Sequence, residues 1–219
     1  MDKRYDLDRV AGVIRELGCD AVGLQEVDGR RGAQSASMQL RDLAKATGLS
    51  EISVGHTRTP PRVRKTNALL TSREVRSVRS YDLTFGGHEP RSALDVELLT
   101  EGRAVRVIVT HLGLGAGERR YQVEKLLSVL SDIPQQQPLV LLGDINEWLP
   151  AGRPLRWLHL ALGKAPSGRS FPVWAPLLGL DRIWSRQPGS LRTFEVHRSP
   201  AARVASDHYP VKANIDVDD

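Results

Sequence analysis

The feature that most limits the fold of this chain is a long central succession of short β-type segments. Between residues 51 and 112, the runs EISVGHT, NALLTS, VRSYDLT, SALDVELLT and RAVRVIVTHL alternate with turn residues. Short apolar runs rich in β-branched residues and bounded by turn residues predict strands. Glu101-Gly102, between the last two runs, predicts a tight hairpin turn. We therefore expect an antiparallel meander in the middle of the chain.

Helical patterns flank this section. Apolar residues repeat at helical spacing over residues 7–17, Asp6 can cap the start, and Gly18 suits the left-handed position after the end. Further helices are predicted over residues 38–47, 118–130 and 155–162, and further strands in AVGLQEV, PLVLLGDIN, LDRIWSR, LRTFEVH and VKANIDV. This order predicts an α/β fold in which two sheets pack face to face with helices outside. At 219 residues we expect a single domain spanning residues 1–219.

Charge and composition narrow the possible partners. A formal net charge of +5 and a pI near 9.6 favour polyanionic partners: nucleic acid, anionic lipid or phosphorylated metabolites. The single cysteine excludes an internal disulfide, and no apolar run approaches the ~18 residues that cross a bilayer. We expect a cytoplasmic monomer without a transmembrane segment, and peripheral contact with the inner membrane stays open.

Polar side chains stand where apolar strands end, which is where a rigid scaffold can hold catalytic groups. Each of them alone is explained by ordinary turn chemistry. Together they supply acids, two histidines and an amide without a cysteine nucleophile: Glu26, His111, Asp144, Asn146, Asp207 and His208. Hard oxygen ligands of this kind suit Mg²⁺ or Mn²⁺ better than a structural zinc. Magnesium in turn points toward phosphate chemistry.

Six motifs now become recognisable: LQEVD, NALLTS, THLGL, LLGDINEW, LDRIW and SDHYPV. In order and rough spacing they resemble the motifs of the endonuclease/exonuclease/phosphatase, or deoxyribonuclease I-like, superfamily, over about residues 7–217. GDINEW and SFPVWAPLLGLDRIW further resemble a bacterial subgroup. The resemblance implies a four-layer α/β sandwich and a hydrolase of phosphoesters that depends on Mg²⁺ or Mn²⁺, foremost a phosphodiesterase or nuclease. Phospholipid headgroups or small phosphoesters are the alternative substrates.

The resemblance also assigns catalytic roles. Asp144 matches the carboxylate that orients or deprotonates the attacking water, and Asn146 matches the amide that positions water or phosphate. His208 matches the histidine that contacts the phosphate, while Asp181 matches the acid that holds its ring. His111 matches a second histidine on the phosphate side.

Metal and substrate contacts follow from the same motifs and their neighbours. Glu26 matches the principal metal ligand, and Asp207 matches a carboxylate near the metal. Asn67 matches a residue at the pocket. Arg31 and Arg119 stand close to these motifs, so they are candidates to contact a nucleic-acid backbone or an anionic lipid headgroup, although ordinary solvated charge explains them equally well.

Three tryptophans lie close in sequence to the motifs: Trp148, Trp174 and Trp184. Tryptophan can stack on nucleic-acid bases or sit at a lipid interface. Packing in the core or anchoring of loops is the commoner role, and we expect it here.

Members of the superfamily begin with a strand that ends in an asparagine, in a pattern like YNIH, before the first helix. This chain starts with MDKRY, which resembles the stretch after that strand. We expect a misassigned or truncated start, because loss of a central strand would leave backbone groups unpaired. If the strand is truly absent, the alternative is an inactive binding protein.

Overall fold

The computed structural model describes residues 6–28, 33–55 and 65–217. Its elements are, in order, α1 (Leu7–Leu17), β1 (Ala21–Asp28), α2 (Ala33–Thr47), β2 (Glu51–Val54), β3 (Lys65–Thr71), β4 (Glu74–Asp82), β5 (Ser92–Thr100), β6 (Arg103–His111), α3 (Ala116–Ser131), β7 (Leu139–Asp144), α4 (Arg153–Leu162), β8 (Asp181–Ser185), β9 (Leu191–Val196), α5 (Ala202–Ala205) and β10 (Val211–Ile215). None of these described helices is both long and apolar enough to cross a membrane.

One layer is a five-stranded sheet in the order β4-β5-β6-β7-β8. Strands β6 and β7 run parallel, and the other neighbours run antiparallel. Strands β5 and β6 are buried along most of their length, whereas β4 alternates between exposed and half-buried residues, as an edge strand does. Helices α3 and α4 pack on the outer face of this sheet, where Ile108, Leu141 and Leu126 form part of the core.

The opposite layer consists of two separate sheets among the described residues, β1-β3-β2 and β9-β10. Both face the inner side of the five-stranded sheet, and α1 and α2 cover the outside of the first. Between β1 and β10 lies a cavity of about 890 Å³, lined by both strands, by α1, and by side chains such as Val107 and Leu142 of the five-stranded sheet. We call this cavity the slot. In the part of the chain that the structure describes, no strand fills it.

The expected two-sheet α/β sandwich is confirmed, but two details of the sequence prediction are wrong. The central strands do not form one meander, because β2 and β3 pair with each other and β1, while β4 begins the other sheet. The chain crosses from one layer to the other through Ser72 and Arg73, between β3 and β4. Helix α2 begins at Ala33, before the apolar periodicity that predicted its start near residue 38.

Candidate active site

The centre of the candidate site is built where β6 and β7 end side by side. His111 and Asp144 are paired residues of these parallel strands, and His111 Nε2 lies 3.5 Å from Asp144 Oδ2. Gly143 has a φ of 146°, and a Cβ there would collide with the carbonyl group of Thr110. Only glycine adopts this conformation readily, so the sequence LLGD brings the acid directly beside the histidine.

Asn146 fixes the orientation of the Asp144 carboxylate. Its backbone N–H donates to Asp144 Oδ1 at 2.9 Å, and its side-chain Nδ2 donates to the Leu112 carbonyl at 2.8 Å. Asn146 has a φ of 52°, a left-handed conformation that asparagine tolerates better than most residues. All three residues are buried. The carboxylate is therefore held with Oδ2 toward the histidines.

His208 enters from the loop before β10 and lies between two carboxylates. Its Nδ1 is 2.9 Å from Asp181 Oδ2, and its Nε2 is 3.9 Å from Asp144 Oδ2. Asp181 is the residue paired with Asp144 across β7 and β8. The ring of Phe171 packs on the other side of the imidazole, with 4.6 Å between ring centroids. The sequence-predicted pair of Asp181 and His208 is thus close enough to hydrogen-bond.

These contacts set the charges of the pair. Burial, and then the charge of Asp181, raise the pKa of Asp144 to about 6. Burial lowers the pKa of His208, but the hydrogen bond to Asp181 and the charges of Asp181 and Asp144 outweigh it and raise the value to about 9. At neutral pH the site therefore sets a carboxylate beside an imidazolium. The first can accept a proton from water, and the second can donate a hydrogen bond to an anion.

Arg91, which sequence reasoning missed, determines the tautomer of His111. Its guanidinium NH1 lies 3.0 Å from His111 Nδ1, and NH2 donates to Glu89 Oε2 at 2.9 Å. A guanidinium only donates, so Nδ1 of His111 must accept and its proton sits on Nε2. Asn146 Nδ2 lies 3.1 Å from that Nε2. With its proton on Nε2, His111 points this N–H toward Asp144 Oδ2, 3.5 Å away.

Ser170 is a second residue that the sequence motifs did not identify. It is fully buried, and its hydroxyl donates to Asp181 Oδ2 at 2.5 Å, the same oxygen that His208 contacts. Its backbone is held on both sides, by Leu178 and by the N–H of Tyr209. Two groups, the Ser170 hydroxyl and the His208 imidazole, therefore contact the same oxygen of Asp181 and fix its position.

Glu26 lies at a bulge of β1. The pairing register with β3 shifts between Leu24 and Val27, and Glu26 has a φ of 57°. Bulges of this kind redirect a side chain away from the regular alternation of a strand. Glu26 lines the slot together with Asp181, Asp207 and His208, and it also lines a small cavity beside Asn67, Arg91 and His111.

The other predicted pocket residues differ in their surroundings. Asp207 is exposed, and its backbone carbonyl accepts from Val173. Asn67 is buried, and its Nδ2 donates to the Ser92 carbonyl at 2.8 Å. Asn67 thus lies beside Glu26 in the wall of the small cavity and is almost completely buried. Arg31 lies outside the described residues.

Arg119, one of the candidates to contact substrate, is held by other parts of the protein. Its side chain is 7% exposed, pairs with Glu147 at 3.3 Å, and donates to the Leu114 carbonyl at 2.5 Å. If this buried guanidinium turned to a ligand, Glu147 would lose its ion pair. Arg119 therefore joins the loops that follow β6 and β7.

The tryptophans divide into two groups. Trp184 is 1% exposed and its Nε1 donates to His159 Nδ1 at 3.1 Å, as expected for a core residue. Trp148 and Trp174 are 59% and 75% exposed. The expectation of core packing is wrong for these two.

The carboxylate oxygens of the candidate site are ligands of the kind that a hard divalent cation prefers. Among the described residues no group of three or more His, Cys, Asp or Glu side chains is close enough to enclose a metal ion. Mg²⁺ is commonly bound by one or two carboxylates, with water and substrate phosphate completing its shell. Glu26 and Asp207 are two carboxylates that line the same cavity.

Comparison with known proteins agrees with this architecture. Residues 1–208 match the family model described as Endonuclease/Exonuclease/phosphatase family. The chain is 27% identical to the uncharacterized protein YbhP of Escherichia coli K12, over 98% of this chain and 90% of that protein.

Two solved structures share the fold. An endonuclease/exonuclease/phosphatase from Bacteroides vulgatus has a TM-score of 0.79 at 17% identity, covering 98% of this chain and 91% of that one. A mannosyl-6-phosphatase from Bacteroides thetaiotaomicron has a TM-score of 0.75 at 14% identity, covering 95% and 90%. With the family match over residues 1–208, the chain belongs to the endonuclease/exonuclease/phosphatase family.

Proposed function

We propose that this protein is a divalent-metal-dependent hydrolase of phosphoesters, foremost a phosphodiesterase or nuclease, which uses water for in-line attack at phosphorus. The observation that carries the proposal is the arrangement of Asp144 and His208, a carboxylate and an imidazolium whose nearest atoms are 3.9 Å apart. Asp181 fixes His208, and the backbone N–H of Asn146 fixes Asp144, each through a hydrogen bond. Family membership supports the same reaction class.

In this proposal Glu26 and Asp207 hold Mg²⁺ or Mn²⁺. When bound, the ion neutralises charge on the scissile phosphate and polarises its phosphorus–oxygen bond. Both carboxylates stand on the wall of the slot that Asp181 and His208 also line, so a phosphate contacting His208 would be within the same cavity.

The chain's own residues divide the remaining work. Asp144 Oδ2 accepts the proton of the attacking water, since Asn146 holds its other oxygen and leaves Oδ2 directed toward His111 and His208. His208 donates Nε2–H to a phosphate oxygen and stabilises charge that develops in the transition state. His111 presents its own Nε2–H from the other side of Asp144.

The test is hydrolysis of a chromogenic phosphodiester, bis(4-nitrophenyl) phosphate, by the purified protein with Mg²⁺, with Mn²⁺ and after chelation. We expect turnover only with metal, and loss of it in Asp144→Ala and His208→Ala. Glu74→Gln, an exposed change on β4, is the matched control and should retain full activity. Hydrolysis that survives either site substitution would contradict the assignment.

Substrate class is decided by parallel incubations with supercoiled DNA, RNA, phospholipid and 4-nitrophenyl phosphate. The monoester is included because one structural neighbour is a mannosyl-6-phosphatase. Cleavage of DNA or RNA supports the nuclease, and cleavage of phospholipid or the monoester supports the alternative. Metal binding without turnover of any substrate would indicate an inactive binding protein.

A further inference from the structure

Five large apolar side chains stand exposed on the loops around the candidate site. They are more than half exposed: Leu114 (73%), Trp148 (59%), Leu149 (67%), Trp174 (75%) and Leu177 (68%). We call them the apolar rim. Single exposed apolar residues are common, but large ones grouped at one place mark a binding surface.

The topology puts these loops at one end of the five-stranded sheet. Strands β6 and β7 are parallel and end at the site, so the loops carrying Leu114 and Trp148 leave from the same edge. Strand β8 runs antiparallel to β7 and begins there, so the segment that precedes it, with Trp174, reaches the same edge.

Specific contacts hold the loops against one another. Arg119 donates to the Leu114 carbonyl and pairs with Glu147, the residue before Trp148. On the other side, the N–H of Val173 donates to the Asp207 carbonyl at 2.8 Å. The rim therefore lies on loops that are connected to the ends of β6 and β7 and to the loop that carries Asp207 and His208.

The segment 148–180, which carries four of the five rim residues, has charge of one sign. Residues 148–180 include four basic residues and no aspartate or glutamate. All four are exposed: Arg153, Arg156, Lys164 and Arg169. Glu147, just before this segment, is buried and paired with Arg119. An anionic surface approaching here meets cations and apolar side chains without an exposed carboxylate from this segment.

Anionic lipid fits this combination better than nucleic acid does. Tryptophan could stack on bases, but three of the five rim residues are leucines, which gain little beside a polar nucleic-acid backbone. Leucine and tryptophan both partition into the boundary between headgroups and acyl chains, and nearby cations add attraction to anionic lipids.

We propose that the apolar rim binds the surface of an anionic phospholipid bilayer. In that position the site at Asp144 and His208 faces the phosphoester headgroups. The proposal of bilayer binding depends only on the apolar rim and its charges. The proposal that headgroup phosphoesters are the substrate also rests on the function proposed above.

The test of binding is co-sedimentation of the full chain with vesicles of phosphatidylcholine, alone or mixed with phosphatidylglycerol. We expect binding to the mixed vesicles. Burial of part of each indole contributes to it, so Trp148→Ala with Trp174→Ala should weaken partitioning by about tenfold or more. Met38→Ala removes an equally exposed apolar side chain from α2, on the opposite side of the sandwich, and should leave binding unchanged.

The electrostatic part has its own variant and control. Arg153→Glu with Arg169→Glu should weaken binding to the mixed vesicles by at least about tenfold, and added salt should reduce binding of the wild type. Arg79→Glu reverses an exposed charge on β4 and should have no such effect. Quenching of tryptophan fluorescence by brominated lipid should disappear in the double tryptophan variant.

Several outcomes would overturn the proposal: equal binding to both kinds of vesicle, no binding to either, or binding that the double tryptophan variant retains. Tryptophan-dependent binding to single-stranded DNA in preference to vesicles would assign the rim to nucleic acid instead. Asp144→Asn separates this proposal from the catalytic one, because it should bind vesicles like the wild type while losing hydrolysis. A wild type that hydrolyses bis(4-nitrophenyl) phosphate but does not bind vesicles would contradict bilayer binding by the rim, and it would leave the proposed hydrolysis intact.

Discussion

The two β layers of this protein differ in continuity. The five-stranded sheet has an unbroken ladder from β4 to β8, whereas the opposite layer is split into β1-β3-β2 and β9-β10 with the slot between them. Backbone groups at the facing edges of β1 and β10 have no described strand as partner, although unpaired backbone groups are costly when buried. The layer that is continuous is the one that fixes most of the site.

The site residues divide along the same line. His111, Asp144 and Asp181 belong to strands of the five-stranded sheet and have close partners. Glu26 and Asp207, proposed to hold the metal, lie in the split layer and line the slot. In the proposed mechanism the general base Asp144 is therefore preorganised by the continuous layer, while the proposed metal ligands depend on the less constrained one, which also supplies His208.

Glu26→Gln and Asp144→Asn should therefore reduce activity in different ways. Asp144→Asn removes a general base, so kcat should fall by about 10²- to 10⁴-fold at any Mn²⁺ concentration. Glu26→Gln removes a proposed metal ligand. Loss of a residue that only hydrogen-bonds to a ligand lowers metal affinity by about 10- to 100-fold, so loss of the ligand itself should raise the Mn²⁺ concentration for half-maximal activity by more than that. Steady-state rates across a Mn²⁺ titration measure both.

Glu97→Gln, on the outer face of β5 and away from the slot, serves as a carboxylate control and should match the wild type in both respects. If added Mn²⁺ restores Asp144→Asn, or fails to improve Glu26→Gln, then the division between the two layers is wrong.

Hydrogen exchange tests the split layer directly. The N–H groups of β1 and β10 that point into the slot have no described strand to accept them, whereas β6 is paired on both sides. We expect the slot-facing amides to exchange faster than those of β6 by about 100-fold or more, because local opening costs less where neighbours are missing. Exchange followed by NMR or by fragment mass spectrometry measures this. Equal protection in β1, β10 and β6 would mean that the slot is closed in solution.

Local sequence signals predicted the local structure well. Asp6 caps α1 by accepting from the N–H of Arg9, and Gly18 ends it at a φ of 60°. The predicted turn at Glu101-Gly102 has positive φ at both residues, as a tight hairpin requires. These features depend on residues a few positions apart, which the sequence displays directly.

Contacts between distant residues were not predictable in the same way. Arg91 meets His111 and Ser170 meets Asp181 only after strands have paired and loops have folded over them. The break of the expected meander after β3 has a similar origin, since strand partners are chosen by packing across layers. The exposure of Trp148 and Trp174 likewise depends on which loops the fold leaves uncovered.

The pH profile should reflect the pair held by the continuous sheet. Asp144, with a pKa raised to about 6, must be ionised to accept a proton, so kcat should rise as pH increases through 6. His208, with a pKa raised to about 9, must be protonated to donate, so kcat should fall as pH increases through 9. Outside these limits the rate should change about tenfold per pH unit.

Rates measured at saturating Mg²⁺ across this range would show a plateau between the two limits. In Asp181→Asn the hydrogen bond and negative charge that raise the pKa of His208 are lost, so the alkaline limit should move to lower pH. An alkaline limit that stays in place would assign that titration to another group.

The smallest expected effect concerns Arg91. Arg91→Lys keeps the positive charge but loses the planar guanidinium that reaches His111 Nδ1 and Glu89 at the same time. Because this costs about one hydrogen bond, kcat should fall by only about fivefold. The decisive readout is the ¹⁵N NMR spectrum of His111. Its Nδ1 should be unprotonated in the wild type, and Arg91→Leu should shift the ring toward a mixture of tautomers. Arg79→Lys, an exposed change, should alter neither quantity. A protonated Nδ1 in the wild type would contradict the hydrogen-bond direction, and with it the view that contacts around the five-stranded sheet fix the tautomer of His111.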